Sequence, residues 1–240
     1  MRAVLWDMDG TLVDSEKVWD VAMDALYARL GGVLTAQVRA TTVGGCADDT
    51  MRIVYTDLGL EPDPAAMSAS AHWLHDYTGV LFDAGLPWCA GATAILDALA
   101  AHDVPMALVT NTPRELAERA LNTVGRHRFA VVVCGDEVAR GKPAPDPYRR
   151  AAALLDVDPR HCLAVEDSPT GATAAEAAGC AVLVVPNAVA VPAGPRRRQV
   201  LSLAGLRVDD LRRFHAELAE PIDPARNLSA ETAVTSSDSA

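Results

Sequence analysis

The sequence predicts an α/β fold: a doubly wound parallel sheet with a small all-helical insert after the first strand. Three observations predict it. Short apolar runs recur along the chain without in–out alternation, so each reads as a strand covered on both faces. Helical patterns separate these runs, as in βαβ units. One region, about 16–85, breaks the rhythm and carries helical spacing alone.

The first run is Ala3–Trp6 (AVLW). In the insert, Val18, Val21, Ala22, Ala25, Leu26 and Leu30 repeat at helical spacing, as do Trp73, Leu74, Tyr77 and Leu81. The loop Thr42–Ala47 (TVGGCA) interrupts the insert, and a turn at Gly85–Pro87 ends it. The alternation then resumes. Helices are expected at Thr93–Ala101, Arg114–Val124, Tyr148–Leu155 and Thr170–Ala178. Strands are expected at Pro105–Thr110, Ala130–Cys134, Cys162–Val165 and Ala181–Val185. The arginine-rich run Pro195–Gln199 reads as a solvated loop. After about His215 the chain turns polar and Ser/Thr/Ala-rich, which predicts a flexible terminus. The expected division is a core of residues 1–15 and 86–215, a helical domain over 16–85 and a tail over 216–240.

Composition narrows the class. Of 240 residues 50% are hydrophobic, too many for a disordered chain, and no apolar run is long enough to span a bilayer. A net charge of −11 offers no footprint for a phosphate backbone, so neither nucleic acid nor membrane is expected as a partner. No secretory leader pattern opens the chain. The five scattered cysteines include no C-x-x-C and read as reduced thiols of a cytoplasmic protein, several of them packed as small apolar residues.

In doubly wound sheets, ligands sit beyond the carboxyl ends of the strands. The first strand ends on Asp7, with Asp9 two positions on. The second ends on Thr110 and Asn111, and the fourth on Glu166 and Asp167. Lys142 follows the third strand and is one of only two lysines in the chain. Helix starts adjoin these places: Thr112-Pro113-x-Glu115 has the form of a capping box, and Asp146-Pro147 and Ser168-Pro169 read as a cap followed by proline. Carboxylates alone would repel a phosphate. With Mg²⁺, which takes oxygen ligands and keeps places for substrate phosphate, they would not. Mg²⁺ and a phosphoryl group are therefore the expected contents of this edge.

The motifs D-x-D-G-T (Asp7–Thr11), T-N (Thr110-Asn111), G-K-P around Lys142 and E-D-S-x-x-G (Glu166–Gly171) together resemble those of the haloacid dehalogenase superfamily. The likeness covers residues 1–214 or so. The helical insert is similar to the small cap of its β-phosphoglucomutase-like and phosphoglycolate-phosphatase-like branch. The resemblance implies a Rossmann-like catalytic core. It further implies Asp7 as nucleophile, Asp9 as general acid and then base, and Thr110, Asn111 and Lys142 as holders of the phosphoryl oxygens. Mg²⁺ would be bound by Asp7, the Asp9 carbonyl and Asp167, with Glu166 as ligand or support. Thr11 is either structural or orients Asp9.

The implied activity is that of a Mg²⁺-dependent phosphatase acting on a small phosphorylated metabolite through an aspartyl-phosphate, as a monomer or weak dimer. The alternative within the branch is a phosphomutase, which needs cationic groups in the cap to hold a second phosphate. Here the cap loop offers Val43, Gly44, Gly45, Cys46 and Ala47, then Asp48 and Asp49, and Trp19 stands where mutases carry a histidine. That favours hydrolysis. Trp19 and Val43–Cys46 are the expected substrate contacts, with a core role as the other reading of Trp19. A phosphoacceptor signalling module is disfavoured by the first-strand aspartate and the long insert. Metal-independent dehalogenases are disfavoured by Asp9 and Asp167.

Overall fold

The computed structural model describes residues 1–42, 47–187 and 189–219. Strand β1 (Ala3–Trp6) is followed by four helices: α1 (Glu16–Arg29), α2 (Ala36–Thr42), α3 (Ala47–Asp57) and α4 (Pro64–Asp83). The chain then alternates through α5 (Ala92–Ala101), β2 (Met106–Val109), α6 (Arg114–Val124), β3 (Val131–Val133), α7 (Asp146–Leu154), β4 (Cys162–Glu166), α8 (Pro169–Ala178) and β5 (Ala181–Val184). It closes with β6 (Arg197–Gln199) and α9 (Val208–Ala219).

All strand pairs are parallel, in the order β3-β2-β1-β4-β5-β6. Successive residues of a strand face opposite sides. Ala3 and Leu5 accordingly join the cluster under α7 and α8, and Val4 and Trp6 the cluster under α5, α6 and α9. Both faces are covered, which is why the strand sequences do not alternate. The order reverses at β1, whose neighbours are β2 and β4, and the crevice beyond the strand ends at that switch point is where such sheets place ligands.

The four inserted helices hold a third core of Ala22, Met23, Leu26, Tyr27, Met51, Val54, Tyr55 and Leu74. A buried bond between Tyr55 Oη and Ser70 Oγ (2.9 Å) ties α3 to α4. The chain leaves and re-enters the sheet unit side by side: Asp14 N donates to Pro87 O (2.8 Å) and Cys89 N to Leu12 O (2.9 Å). Helix α4 also lies on α6, with Arg119 paired to Asp83 at 2.6 Å. Trp19 meets Phe82 edge-on, ring centroids 6.4 Å apart, and packs against both the sheet core and the helical core.

Three elements depart from expectation. The arginine run forms the end strand β6 rather than a solvated loop. Its arginines are anchored sideways, Arg197 to Glu176 (2.8 Å) and Arg198 over the ring of Phe214 (5.6 Å). Polar sequence disguised it because the strand is held by ion pairing and ring contact of its arginines and carries no apolar residue. The flexible terminus expected from 216 instead begins as helix, for α9 continues to Ala219 and buries Leu211, Phe214 and His215. Helix α7 starts at Asp146, two residues earlier than expected, because proline is tolerated in a first turn. No described helix is long and apolar enough to cross a membrane.

Candidate active site

The sheet edge gathers the carboxylates through backbone geometry. Asp7 follows β1 directly, its N–H donating to Val165 O at 3.0 Å, so it sits beside the end of β4. The chain then turns sharply at Gly10, with φ +83°. A β-carbon at Gly10 would lie 2.1 Å from Asp167 Oδ2, and the positive φ itself favours glycine there.

Lys142 stands among these acids. Its ammonium donates to Asp7 Oδ1 at 2.6 Å and Glu166 Oε1 at 2.7 Å, and its side chain is 4% exposed. Its backbone is clamped by Asn111, whose Nδ2 donates to Lys142 O (3.1 Å) and whose Oδ1 accepts from Lys142 N (2.8 Å). The Asn111 amide is therefore used to hold the lysine loop, not left open toward a ligand. Burial opposes the lysine charge, but Asp7 and Glu166 outweigh it and hold the ammonium above its ordinary range.

Ligand atoms of Asp7, Glu166 and Asp167 lie within 4.8 Å of one another. Burial, reinforced by Glu166 and Asp9 against the counter-pull of Lys142, pushes the Asp7 carboxyl up to about 7. Burial and the charges of Asp7 and Glu166 push Asp167 up to about 9. Glu166 is fully buried and already well supplied with donors, since Oε1 receives Lys142 and Tyr148 and Oε2 receives Ser168 at 3.1 Å. Asp7 Oδ2, by contrast, is buried without any hydrogen-bond partner among the described residues. Unmet acceptors of this kind are rare. Fully ionised, three carboxylates against one ammonium would leave an excess of two negative charges, and an oxygen-rich set with an open carboxylate oxygen fits a hard divalent cation such as Mg²⁺ that takes the place of the protons. The oxygen without a partner among the described residues lies on Asp7, while both oxygens of Glu166 accept hydrogen bonds.

Asp9 occupies a different environment. Its side chain stands outside the acidic cluster and accepts three hydroxyls: Ser15 on Oδ1 (2.6 Å), and Thr110 (3.0 Å) and Thr112 (2.7 Å) on Oδ2. This overturns a local expectation. Thr112 does not cap α6. Its hydroxyl is spent on Asp9, the cap position falls on Pro113, and the free Arg114 N–H is met by Asp136 at 3.0 Å. Asp146 likewise sits inside the first turn of α7 and pairs with Arg140. Ser168 does cap its helix, accepting from Gly171 N at 3.1 Å. Thr11 does not orient Asp9, for its buried hydroxyl has no partner among the described residues.

The structure thus brings Asp7, Asp9, Thr110, Lys142, Glu166 and Asp167 together, with Asn111 behind them. Trp19 lies between the two hydrophobic cores, and Val43, Gly44, Gly45 and Cys46 lie outside the described residues. Sequence reasoning missed Ser15, Thr112 and Tyr148. The first two look like ordinary residues before a helix, and the third like a core aromatic.

Comparison with known proteins shows the family. The sequence model of the haloacid dehalogenase-like hydrolases matches residues 1–179. A phosphoglycolate phosphatase of Cupriavidus necator is 36% identical over 195 residues, spanning 80% of this chain and 84% of that protein. Hexitol phosphatase A of Escherichia coli is 33% identical over 188 residues, spanning 77% and 82%. The crystal structure of CbbY from Rhodobacter sphaeroides with phosphate superposes with a TM-score of 0.74 at 27% identity, over 88% of this chain and 99% of that one. With its sheet order, its strand-end acids and these relatives, the chain belongs to the haloacid dehalogenase-like hydrolases.

Proposed function

We propose that this protein is a Mg²⁺-dependent phosphatase that hydrolyses a small phosphorylated metabolite through an aspartyl-phosphate at Asp7. The observation that carries the reading is the pairing of a buried carboxylate, Asp7, with a lysine that grips one of its oxygens while the other has no partner. Such a carboxylate is held in place yet open. Its attack on phosphorus forms an Asp7 O–P bond as the bond to the leaving oxygen breaks. Asp9 gives its proton to that oxygen, then takes one from the water that attacks phosphorus and frees Asp7. The three hydroxyls around Asp9 suit both roles, because a hydroxyl can donate to a carboxylate or accept from a carboxylic acid. Lys142 steadies the phosphoryl oxygens and Asn111 steadies Lys142, whereas Thr110, expected to share that task, donates its hydroxyl to Asp9 instead. Asp7, through the oxygen that does not attack phosphorus, Asp167 and the Asp9 carbonyl would hold Mg²⁺, with Glu166 as ligand or support. The ion supplies charge neutralisation at the phosphoryl group, which together with positioning is most of what phosphoryl transfer requires.

Residues 16–85 act in this reading as a cap over a core formed by 1–15 and 86–219, with the substrate between them. The paired crossings at Leu12–Cys89 and Asp14–Pro87 are its hinge. Trp19 serves the cap mainly by packing, and Val43–Cys46 are the proposed substrate contacts. The relatives described above are named for hydrolysis of phosphoglycolate and hexitol phosphates, which supports a small monophosphate as substrate. Asp48 and Asp49 in the first turn of α3 disfavour the second phosphate that a mutase must hold. Turnover of p-nitrophenyl phosphate with Mg²⁺, abolished by EDTA and restored by Mg²⁺, is the expected result. Absence of metal-dependent turnover of this probe and of a panel of phosphorylated metabolites would refute the reading.

A further inference from the structure

Tyr148 is fully buried in the first turn of α7, on the face of the sheet opposite α5 and α6. If packing were its only task, its hydroxyl would be a burden, since a buried phenol must find an acceptor. The acceptor it finds is Glu166 Oε1, at 2.5 Å, the same oxygen that receives Lys142 Nζ at 2.7 Å. The lysine ammonium also stands 5.2 Å from the centre of the Tyr148 ring, within the range of cation–π attraction. The three side chains therefore close on one another: hydroxyl to carboxylate, carboxylate to ammonium, ammonium to ring.

The consequence concerns direction. An ammonium has three N–H bonds on a flexible stem. Two point at Asp7 Oδ1 and Glu166 Oε1, and the third is left for a further acceptor. Where that third bond points depends on where Glu166 Oε1 lies. Ser168 holds the other oxygen of Glu166. Without the Tyr148 hydroxyl the carboxylate could turn about its own axis toward the acids of the cluster and draw the lysine from Asp7. We infer that Tyr148 is a positioning residue for Lys142, which it aims through Glu166 Oε1 and steadies with its ring. The inference rests on the phosphatase reading given above.

The test is a double-mutant cycle on Tyr148→Phe and Glu166→Gln, with p-nitrophenyl phosphate turnover and inorganic phosphate affinity as readouts. Tyr148→Phe keeps the ring and removes only the bond to Glu166. It is expected to lower kcat by about tenfold to a hundredfold, the cost of a slightly misplaced group, with KM changed by less than about threefold. In the Glu166→Gln background the same substitution is expected to cost less than about twofold, because the amide oxygen can still accept from Tyr148 but no longer holds the Lys142 ammonium by charge. Phosphate affinity supplies the same cycle if Glu166→Gln turns over too slowly to read. Tyr148→Leu, which loses the ring as well, is expected to fall further than Tyr148→Phe. Unimpaired kcat in Tyr148→Phe, or losses that simply add across the cycle, would overturn the inference. Wild-type protein without metal-dependent turnover would instead refute the phosphatase reading itself.

Discussion

Asp7 and Asp9 lie two positions apart and meet opposite conditions. Asp7 is gripped by one lysine and keeps an open oxygen, whereas Asp9 has both oxygens engaged by hydroxyls. The first arrangement suits bond formation and the second suits exchange of a proton. Asp9→Asn keeps the shape and removes the proton exchange. Its kcat is expected to fall by about two to four orders of magnitude, the usual contribution of general acid–base catalysis. A steady-state loss of less than tenfold would contradict the role. The acids and Lys142 were legible in the sequence because each ends, or follows, an apolar run. Ser15 and Thr112 were not, because a hydroxyl before a helix is normally taken by that helix, and only the fold reveals that Asp9 competes for it successfully.

Elements set these positions. The loop after β3 carries Lys142, and the Asn111 amide, following β2, pins that loop through its backbone. Asn111→Ala should therefore release the lysine without touching any reacting atom. The expected outcome is a kcat lower by about tenfold to a hundredfold, with little change in the urea midpoint. A fall in stability that matches the fall in activity would point to a structural role only. Helix α8 gives a complementary case, because Ser168 caps it and also bonds Glu166. Ser168→Ala is expected to cost about 1 kcal/mol in urea unfolding, the usual loss for a cap. No loss would mean that the cap bond is not maintained. At this scale the central strands and their helices were readable from periodicity. Strand β6 was not, since three residues rich in arginine carry no apolar signal, and α9 was obscured by the polar sequence around it.

For the molecule as a whole, the acidic cluster links stability to pH and metal. Asp7 rises from 3.8 to about 7 and Asp167 from 3.8 to about 9, so in this window the folded chain binds more protons than the unfolded chain. Stability then falls as pH rises through the window. On the proposed reading Mg²⁺ would replace those protons, so its stabilising effect should grow from the lower end of the window to the upper. At a hundredfold excess over its Kd it should add about 2.7 kcal/mol. Thermal melts with Mg²⁺ and with EDTA across this pH range check both statements, and a Tm indifferent to Mg²⁺ throughout would contradict them. The sheet unit and the helical insert could be told apart from sequence alone because their periodicities differ. How the insert meets substrate could not, because the loop Val43–Cys46 consists of small residues whose chemistry names no ligand.

The central claim is that Asp7 carries the phosphoryl group during turnover. It is tested by acid-quenching the protein during turnover of p-nitrophenyl phosphate with Mg²⁺ and locating the transferred phosphate by peptide mass spectrometry. The account predicts one phosphoryl group on the peptide containing Asp7, absent without Mg²⁺, and no turnover by Asp7→Asn although that variant folds. Undiminished turnover by Asp7→Asn, or phosphate trapped on another residue, would contradict it.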